Sequence, residues 1–245
     1  MSSLWDFKVD ISKLYKAYHY ASINDEVFTT AQIYKLPKKE DNDLAEKNLS
    51  NKLIYNANNE NDFEKIIYNR HSWPREFHNN NFVDFDFISK FLQIAFIGGD
   101  KCNRNYPAGG AQYLVNTYLL FNENRVDKRF IEKGNVCKID FQSSCLEHVN
   151  SLPWSEIEKA FIQKECVSTA QFAIALSVNL DEINGKYLDI AYKLVQQEAG
   201  HIGQNIQLVS QYMNLESLPL GGFYDIRINN IIKNSQTALY CFLIG

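Results

Sequence analysis

Four stretches of this chain combine residue types that could do chemistry together. Lys186-Tyr187 sets an amine beside a phenol, and a tyrosine next to a cationic lysine can have its pKa lowered enough to serve as a base. Out of context the same pair reads as surface decoration. Arg70-His71-Ser72-Trp73-Pro74-Arg75 places two guanidinium forks and a hydroxyl in one loop, the donor set a phosphate takes. A solvated basic loop pairing with nearby acids uses the same residues. Arg104-Asn105-Tyr106-Pro107-Ala108-Gly109-Gly110 ends in two glycines, which bare the backbone so that its N–H groups can meet a ligand edge. A plain turn is the alternative, and a dinucleotide fingerprint is excluded because the third glycine and the following helix are missing. Last, the run Glu198-Ala199-Gly200-His201-Ile202-Gly203-Gln204-Asn205 is followed by Leu218-Pro219-Leu220-Gly221-Gly222-Phe223. Small residues in a helix and then a Pro/Gly turn suggest a backbone brought close to something flat, with ordinary helix packing as the alternative.

Other chemistries find less support. His201 has no companion at metal-ligand spacing, since His71, His78 and His148 are distant in sequence, so it reads as a satisfied helix histidine and no metal site is expected. Cys145 and Cys166 have no obvious base partner for nucleophilic catalysis. The five cysteines form an odd set without CxxC spacing, which argues for free thiols in a reducing cytosol rather than a disulfide framework.

The elements that must hold these residues can be read from periodicity. Ile190, Leu194, Ala199, Ile202, Ile206, Val209 and Met213 recur at three- to five-residue steps, predicting one long helix from about Lys186 to Met213 that carries Gly200 and Gly203. A helix over 82–96 should be capped by Asp84 or Asp86 and stop at Gly98-Gly99. Ser155 with Glu158 forms a capping box that would open a helix over 155–165. Residues 113–121, 169–178 and 238–244 read as core strands, with a hairpin between the first two. The order is helix, strand, hairpin, helix, strand, long helix, turn, short helix and strand, an α+β layout without regular βα alternation.

Composition narrows the class. At 245 residues, with 45% apolar and 13% aromatic content, the chain can bury a sizeable core. A formal charge of −4 with Lys and Arg spread along the sequence gives no electrostatic footprint for nucleic acid. No basic-then-apolar leader and no apolar run of about 18 residues is present, so a cytoplasmic protein away from membranes is expected. Residues 1–64 are polar and uneven and read as an N-terminal helical extension with two or three short helices, while 65–245 carry the motifs.

Taken in order, the motifs resemble the flavin-dependent nitroreductase superfamily, and most closely its branch of azoline dehydrogenases (SagB-type) that mature thiazole/oxazole-modified microcins. The likeness runs from Arg70 to Gly245 and rests on Pro107-Ala108-Gly109-Gly110-Ala111-Gln112-Tyr113, Lys186-Tyr187, Tyr192-Lys193, Glu198 to Asn205, and Gly221-Gly222-Phe223. Ala108 stands where that branch usually has serine and Leu114 where it has proline, and the arginine loop is Ser-x-x-Arg where many relatives have Ser-x-Arg.

The resemblance implies a homodimer of the nitroreductase fold, an antiparallel-centred mixed sheet wrapped by helices, with FMN at the subunit interface. It implies that Arg70, Ser72 and Arg75 meet the FMN phosphate. Arg104, Pro107, Ala108, Gly109, Gly110, Gln204, Asn205, Leu220, Gly221 and Gly222 would contact the rest of the cofactor. The implied reaction is oxidation of a thiazoline or oxazoline in a ribosomal precursor peptide to the aromatic azole, with Lys186 and Tyr187 as the catalytic base pair and a cyclodehydratase as partner. The N-terminal extension is a natural place for partner or peptide contacts and equally a structural cap. An NAD(P)H-dependent reductase of nitro compounds or quinones, and a flavin-free scaffold subunit, are the alternatives.

Overall fold

The computed structural model describes residues 14–24, 61–78, 82–98, 104–183, 190–233 and 235–245. Lys186 and Tyr187 lie outside the described residues, as does most of the expected extension over 1–64.

At the centre is a six-stranded sheet of order β3-β2-β1-β4-β6-β5. The strands are β1 (Asn116–Phe121), β2 (Val136–Asp140), β3 (Cys145–Asn150), β4 (Phe172–Val178), β5 (Ser217–Leu220) and β6 (Thr237–Ile244). Every strand pair is antiparallel, which corrects the expectation of a mixed sheet: the one parallel contact among the described residues is the isolated bridge Val83–Val126. β4 is buried along its whole length because helices cover both faces. The period-two alternation of strand side chains then sorts its residues: Phe172, Ile174 and Leu176 enter one core, Ala173 and Ala175 the other.

The first core is roofed by α3 (Phe85–Leu92) and α6 (Ile190–Tyr212), the second by α4 (Trp154–Ile157), α5 (Lys164–Thr169) and α7 (Asp225–Ile232). Asp84 caps α3 by accepting from the Phe87 amide at 2.8 Å, one of the two caps expected. The helix does not run evenly to its end, however: Gln93–Ile97 is π-helical before the chain turns at Gly98, φ +85°. Two N-terminal helices, α1 (Leu14–Ser22) and α2 (Asp62–Asn69), pack near the ends of α6.

Several sequence expectations are corrected. The helix over 155–165 is broken into α4, a 3₁₀ turn at Glu158–Ala160 and the separate α5. Ser155 caps nothing, because Pro153 holds the N-cap position and the Glu123 carboxylate accepts from the Trp154 amide at 3.1 Å through either oxygen. A capping box does occur, at Asn61 and Glu64 before α2. β1 begins at Asn116 rather than residue 113, since Tyr113 has φ +51° and the Leu114 and Val115 amides donate to Glu198 instead of to a strand. β4 begins at Phe172, residue 169 closing α5. Ser217–Leu220, expected as turn, is an edge strand, where Pro219 is tolerated because an edge needs no outward donor.

Candidate functional site

α6 is the ridge on which two of the separated motifs, the arginine loop and the loop leading into β1, meet. Its residues Leu194, Glu198, His201 and Asn205 fall on one stripe, at steps of four, three and four, and that stripe meets the loop leading into β1. The Glu198 carboxylate, 3% exposed, accepts from the Leu114 and Val115 amides at 3.2 and 3.3 Å. Burial pushes its pKa from 4.5 up to about 7, against the opposing pull of these two amides and Arg104. His201 Nδ1 lies 3.1 Å from the Pro107 carbonyl oxygen. Asn205 donates to the Asn105 carbonyl at 2.6 Å and to the Ala95 carbonyl in the π-helical turn at 3.3 Å. The same turn offers the Gln93 and Ile94 carbonyls to the Asn105 side chain. A widened turn presents carbonyls that an α-helix would keep for itself, and here the loop uses them.

Gly109 rests directly on this ridge: a Cβ there would stand 3.0 Å from both Leu194 methyls. Gly110 has φ +61°, a backbone that glycine adopts without penalty, and it is exposed. Arg104 is caged, its guanidinium 3.7 Å from the Phe141 ring centroid and 4.7 Å from that of Tyr113, and it donates to the Tyr106 hydroxyl at 2.7 Å.

On another side of α6, the buried Gln207 bridges two members of the arginine loop. Its Oε1 accepts from Arg70 Nη1 at 2.8 Å and its Nε2 donates to Ser72 Oγ at 3.3 Å. Arg70 is half-buried at the end of α2 and Ser72 is exposed. The loop is then tied to the start of β5 by the Trp73 amide, which donates to the Ser217 carbonyl at 2.9 Å. Arg75 is exposed and takes no part in this bridge. At the far end of β5, Leu220 is buried and the Gly221-Gly222 turn begins. A Cβ on Gly221 would meet nothing within 4 Å, whereas one on Gly222 would run into the Gln163 side chain at 2.7 Å. β5 thus separates the cationic loop from the glycine turn by about 13 Å at ~3.3 Å per residue.

The sequence profile of the nitroreductase family matches residues 67–245. The chain belongs to the nitroreductase family. A nitroreductase-like protein of Methanocaldococcus jannaschii is 24% identical over 64% of this chain and 78% of its own length. Among solved structures, the chain is similar to one from the Escherichia coli microcin synthetase McbBCD complex with truncated pro-MccB17 bound. There the TM-score is 0.78 at 19% identity, covering 96% of this chain and 92% of that one. A nitroreductase-like protein of Desulfovibrio desulfuricans in complex with FMN matches at a TM-score of 0.51 and 12% identity, over 76% of this chain and 87% of that one. At these identities the structural likeness is one of fold.

For a nitroreductase-family chain the residues present fit a flavin nucleotide. Arg70 and Ser72 supply a cation and a hydroxyl held by one amide, which suits a phosphate, and Gly221 offers a side-chain-free backbone facing open space, which suits a flat ring. Two residues of this neighbourhood were not singled out from sequence. Gln207 carries no chemical signature as a helix amide, and His19 sits outside the motifs. His19, on α1, is buried with Nδ1 3.0 Å from the Tyr192 hydroxyl, while its buried Nε2 has no hydrogen-bond partner among the described residues. Burial pushes the imidazole pKa down. The chain just after α1 reaches the glycine turn: the Asn24 side chain donates to the Gly221 carbonyl at 2.9 Å and its amide to Asp225 at 2.8 Å. Gln204 is exposed on α6.

Proposed function

We propose that this protein is an FMN-dependent azoline dehydrogenase that oxidises thiazoline or oxazoline rings of a ribosomal precursor peptide to thiazole or oxazole. The observation that carries the reading is the convergence on α6 of motifs from distant parts of the sequence, with the phosphate donors and the glycine turn at opposite ends of β5. Bound FMN would supply a two-electron acceptor. Arg70 and Ser72, held by Gln207, would bind its phosphate, with Arg75, exposed in the same loop, as a further donor. Leu220, Gly221 and Gly222 would contact the ring, and Arg104, Pro107, Ala108, Gly109, Gly110, Gln204 and Asn205 would complete the cofactor site at a homodimer interface.

Support for the homodimer comes from the outer face of α6. Ile190, Lys193, Gln197, Gly200 and Gln204 recur at steps of three and four and are exposed, Ile190 at 62%. Gly200 at the middle has open space where a Cβ would be, so a second helix can approach closely there. One of Lys186 and Tyr187, just before α6 in sequence, takes the proton from the ring α-carbon, as neutral lysine or tyrosinate, while its partner tunes the acceptor's pKa. The likeness to a chain of the microcin synthetase complex with truncated pro-MccB17 bound supports a peptide substrate and work within a complex, whose partner on this reading is a cyclodehydratase.

Absorbance of the purified protein with FMN tests the cofactor, and mixing with NAD(P)H tests the chemistry. The reading expects a bound flavin that NAD(P)H bleaches barely at all. Fast bleaching with turnover would make the protein a reductase, and no flavin uptake would make it a scaffold.

A further inference from the structure

Residues 14–24 lie ahead of the region 67–245 that the family profile matches, yet they are fastened to the elements around the glycine turn. The hydroxyl of the buried Tyr15 donates to the Leu180 carbonyl at 3.0 Å, Lys16 pairs with Asp181, and His19 meets the Tyr192 hydroxyl at 3.0 Å. α1 is therefore anchored both to the chain that follows β4 and to the first turn of α6, which brings the residues beyond Ser22 to a fixed place. There Asn24 makes two hydrogen bonds of its own. Its backbone amide donates to the buried Asp225 carboxylate at 2.8 Å, and its side-chain amide donates to the Gly221 carbonyl at 2.9 Å. Asp225 opens α7, so the Asn24 backbone is tied to a helix end and its side chain works from a firm base.

The glycine turn needs such a hold. Two glycines in succession allow many backbone orientations, and no side chain of their own selects one. The carbonyls do so instead. The peptide bonds are trans, and in a trans peptide the C=O of one residue and the N–H of the next point in opposite directions within one plane. By holding the Gly221 carbonyl, Asn24 directs the Gly222 N–H to the opposite side. The following peptide is fixed as well, because the Gly222 carbonyl accepts from the Ile162 amide at 3.0 Å. Between these two engaged carbonyls the Gly222 N–H makes no hydrogen bond among the described residues. Backbone N–H groups are paired with protein, water or ligand almost without exception, and this one is left to a partner from outside the chain, beside Gly221 with its open space.

We infer that Asn24 is the positioning residue of the glycine turn: by holding the Gly221 carbonyl it aims the Gly222 N–H at an acceptor atom of the flat flavin ring. The inference rests on the proposed flavin site. It gives the N-terminal segment a part in that site, supplied from 197 positions away in sequence, where a cap would need no contact with the turn.

The test is titration of the full chain with FMN, followed by absorbance, together with the melting temperature of the flavin-free chain. Asn24→Asp keeps the size of the side chain and the backbone bond to Asp225, and sets a carboxylate oxygen against the Gly221 carbonyl. Asn24→Ala removes the donor alone. Both variants should weaken FMN binding at least about threefold, the worth of about one hydrogen bond, and displace the visible absorbance maxima of the bound flavin from their positions in the parent. Gln207→Leu, at the phosphate end, weakens binding without moving those maxima. If Asn24→Asp fails to fold, Asn24→Ala decides. Maxima unchanged in Asn24→Ala overturn the inference, whether or not affinity or melting temperature falls, because Asn24 then supports the fold without setting the donor. Maxima displaced equally by Gln207→Leu overturn it too. A parent chain that takes up no FMN is a separate failure: it removes the flavin reading itself, and this inference with it.

Discussion

Glu198 is a carboxylate kept out of water by two backbone amides, and its raised pKa has a direction in pH. Because the folded pKa, about 7, lies above the unfolded 4.5, the folded chain binds the proton more tightly between those values. Its contribution to stability is therefore full below pH 4.5 and declines as pH rises to about 7, by roughly 3 kcal/mol. Asp225, whose pKa burial also raises, acts in the same sense. Glu198→Gln removes the titration, so the difference in melting temperature between variant and parent should shift in favour of the variant as pH rises from 5 to about 7.5. A constant difference across that range would show that Glu198 does not titrate there. Gln207 is tested through its two partners. Gln207→Leu leaves the Arg70 guanidinium without its acceptor and Ser72 without its donor, and should weaken FMN binding about tenfold or more with little change in circular dichroism. Lys186→Ala and Tyr187→Phe are expected to keep bound FMN and lose azole formation, read by flavin absorbance and product mass. Arg70 and Ser72 could be singled out as candidate phosphate donors from their types alone. Gln207 was not, because it lies 135 positions from Ser72 and a glutamine inside a helix looks like any solvated residue.

At the scale of elements, the two glycines of α6 have opposite environments and so opposite expected responses. A Cβ on Gly203 would lie 2.8 Å from Phe242 Cζ and 3.2 Å from Tyr240 Cε1, so this glycine brings the helix down onto β6. Gly203→Leu should cost about 1–3 kcal/mol by overpacking, seen as a fall of several degrees in melting temperature. Gly200 faces open space, and Gly200→Ala should raise the stability of the isolated chain by up to about 1 kcal/mol. The long helix was readable because its apolar period survives both glycines. The capping box at Ser155 misled because Glu123, remote in sequence, satisfies the Trp154 amide. β5 was hidden by its shortness and by Pro219, which only an edge position accommodates. The late start of β1 likewise has a tertiary cause: Glu198 takes the amides of Leu114 and Val115 that a strand would have used.

For the whole molecule, one sheet separates two cores and one helix gathers the loops that carry the functional motifs. The α+β class and, apart from β5 and the split helix over 155–165, the order of the elements from the first core strand onward were legible because each segment's hydrophobic period agrees with its final place. The all-antiparallel pairing was not, since strand order depends on contacts far apart in sequence. The candidate site was legible as separate motifs, and the meeting of the arginine loop and the loop before β1 on α6 appears only in three dimensions. Whether this site serves azoline oxidation is tested most directly by the mass spectrum of an azoline-bearing precursor peptide incubated with the FMN-loaded protein. A loss of about 2 Da per ring is predicted, as two hydrogens leave, and an unchanged peptide mass with flavin demonstrably bound would contradict it.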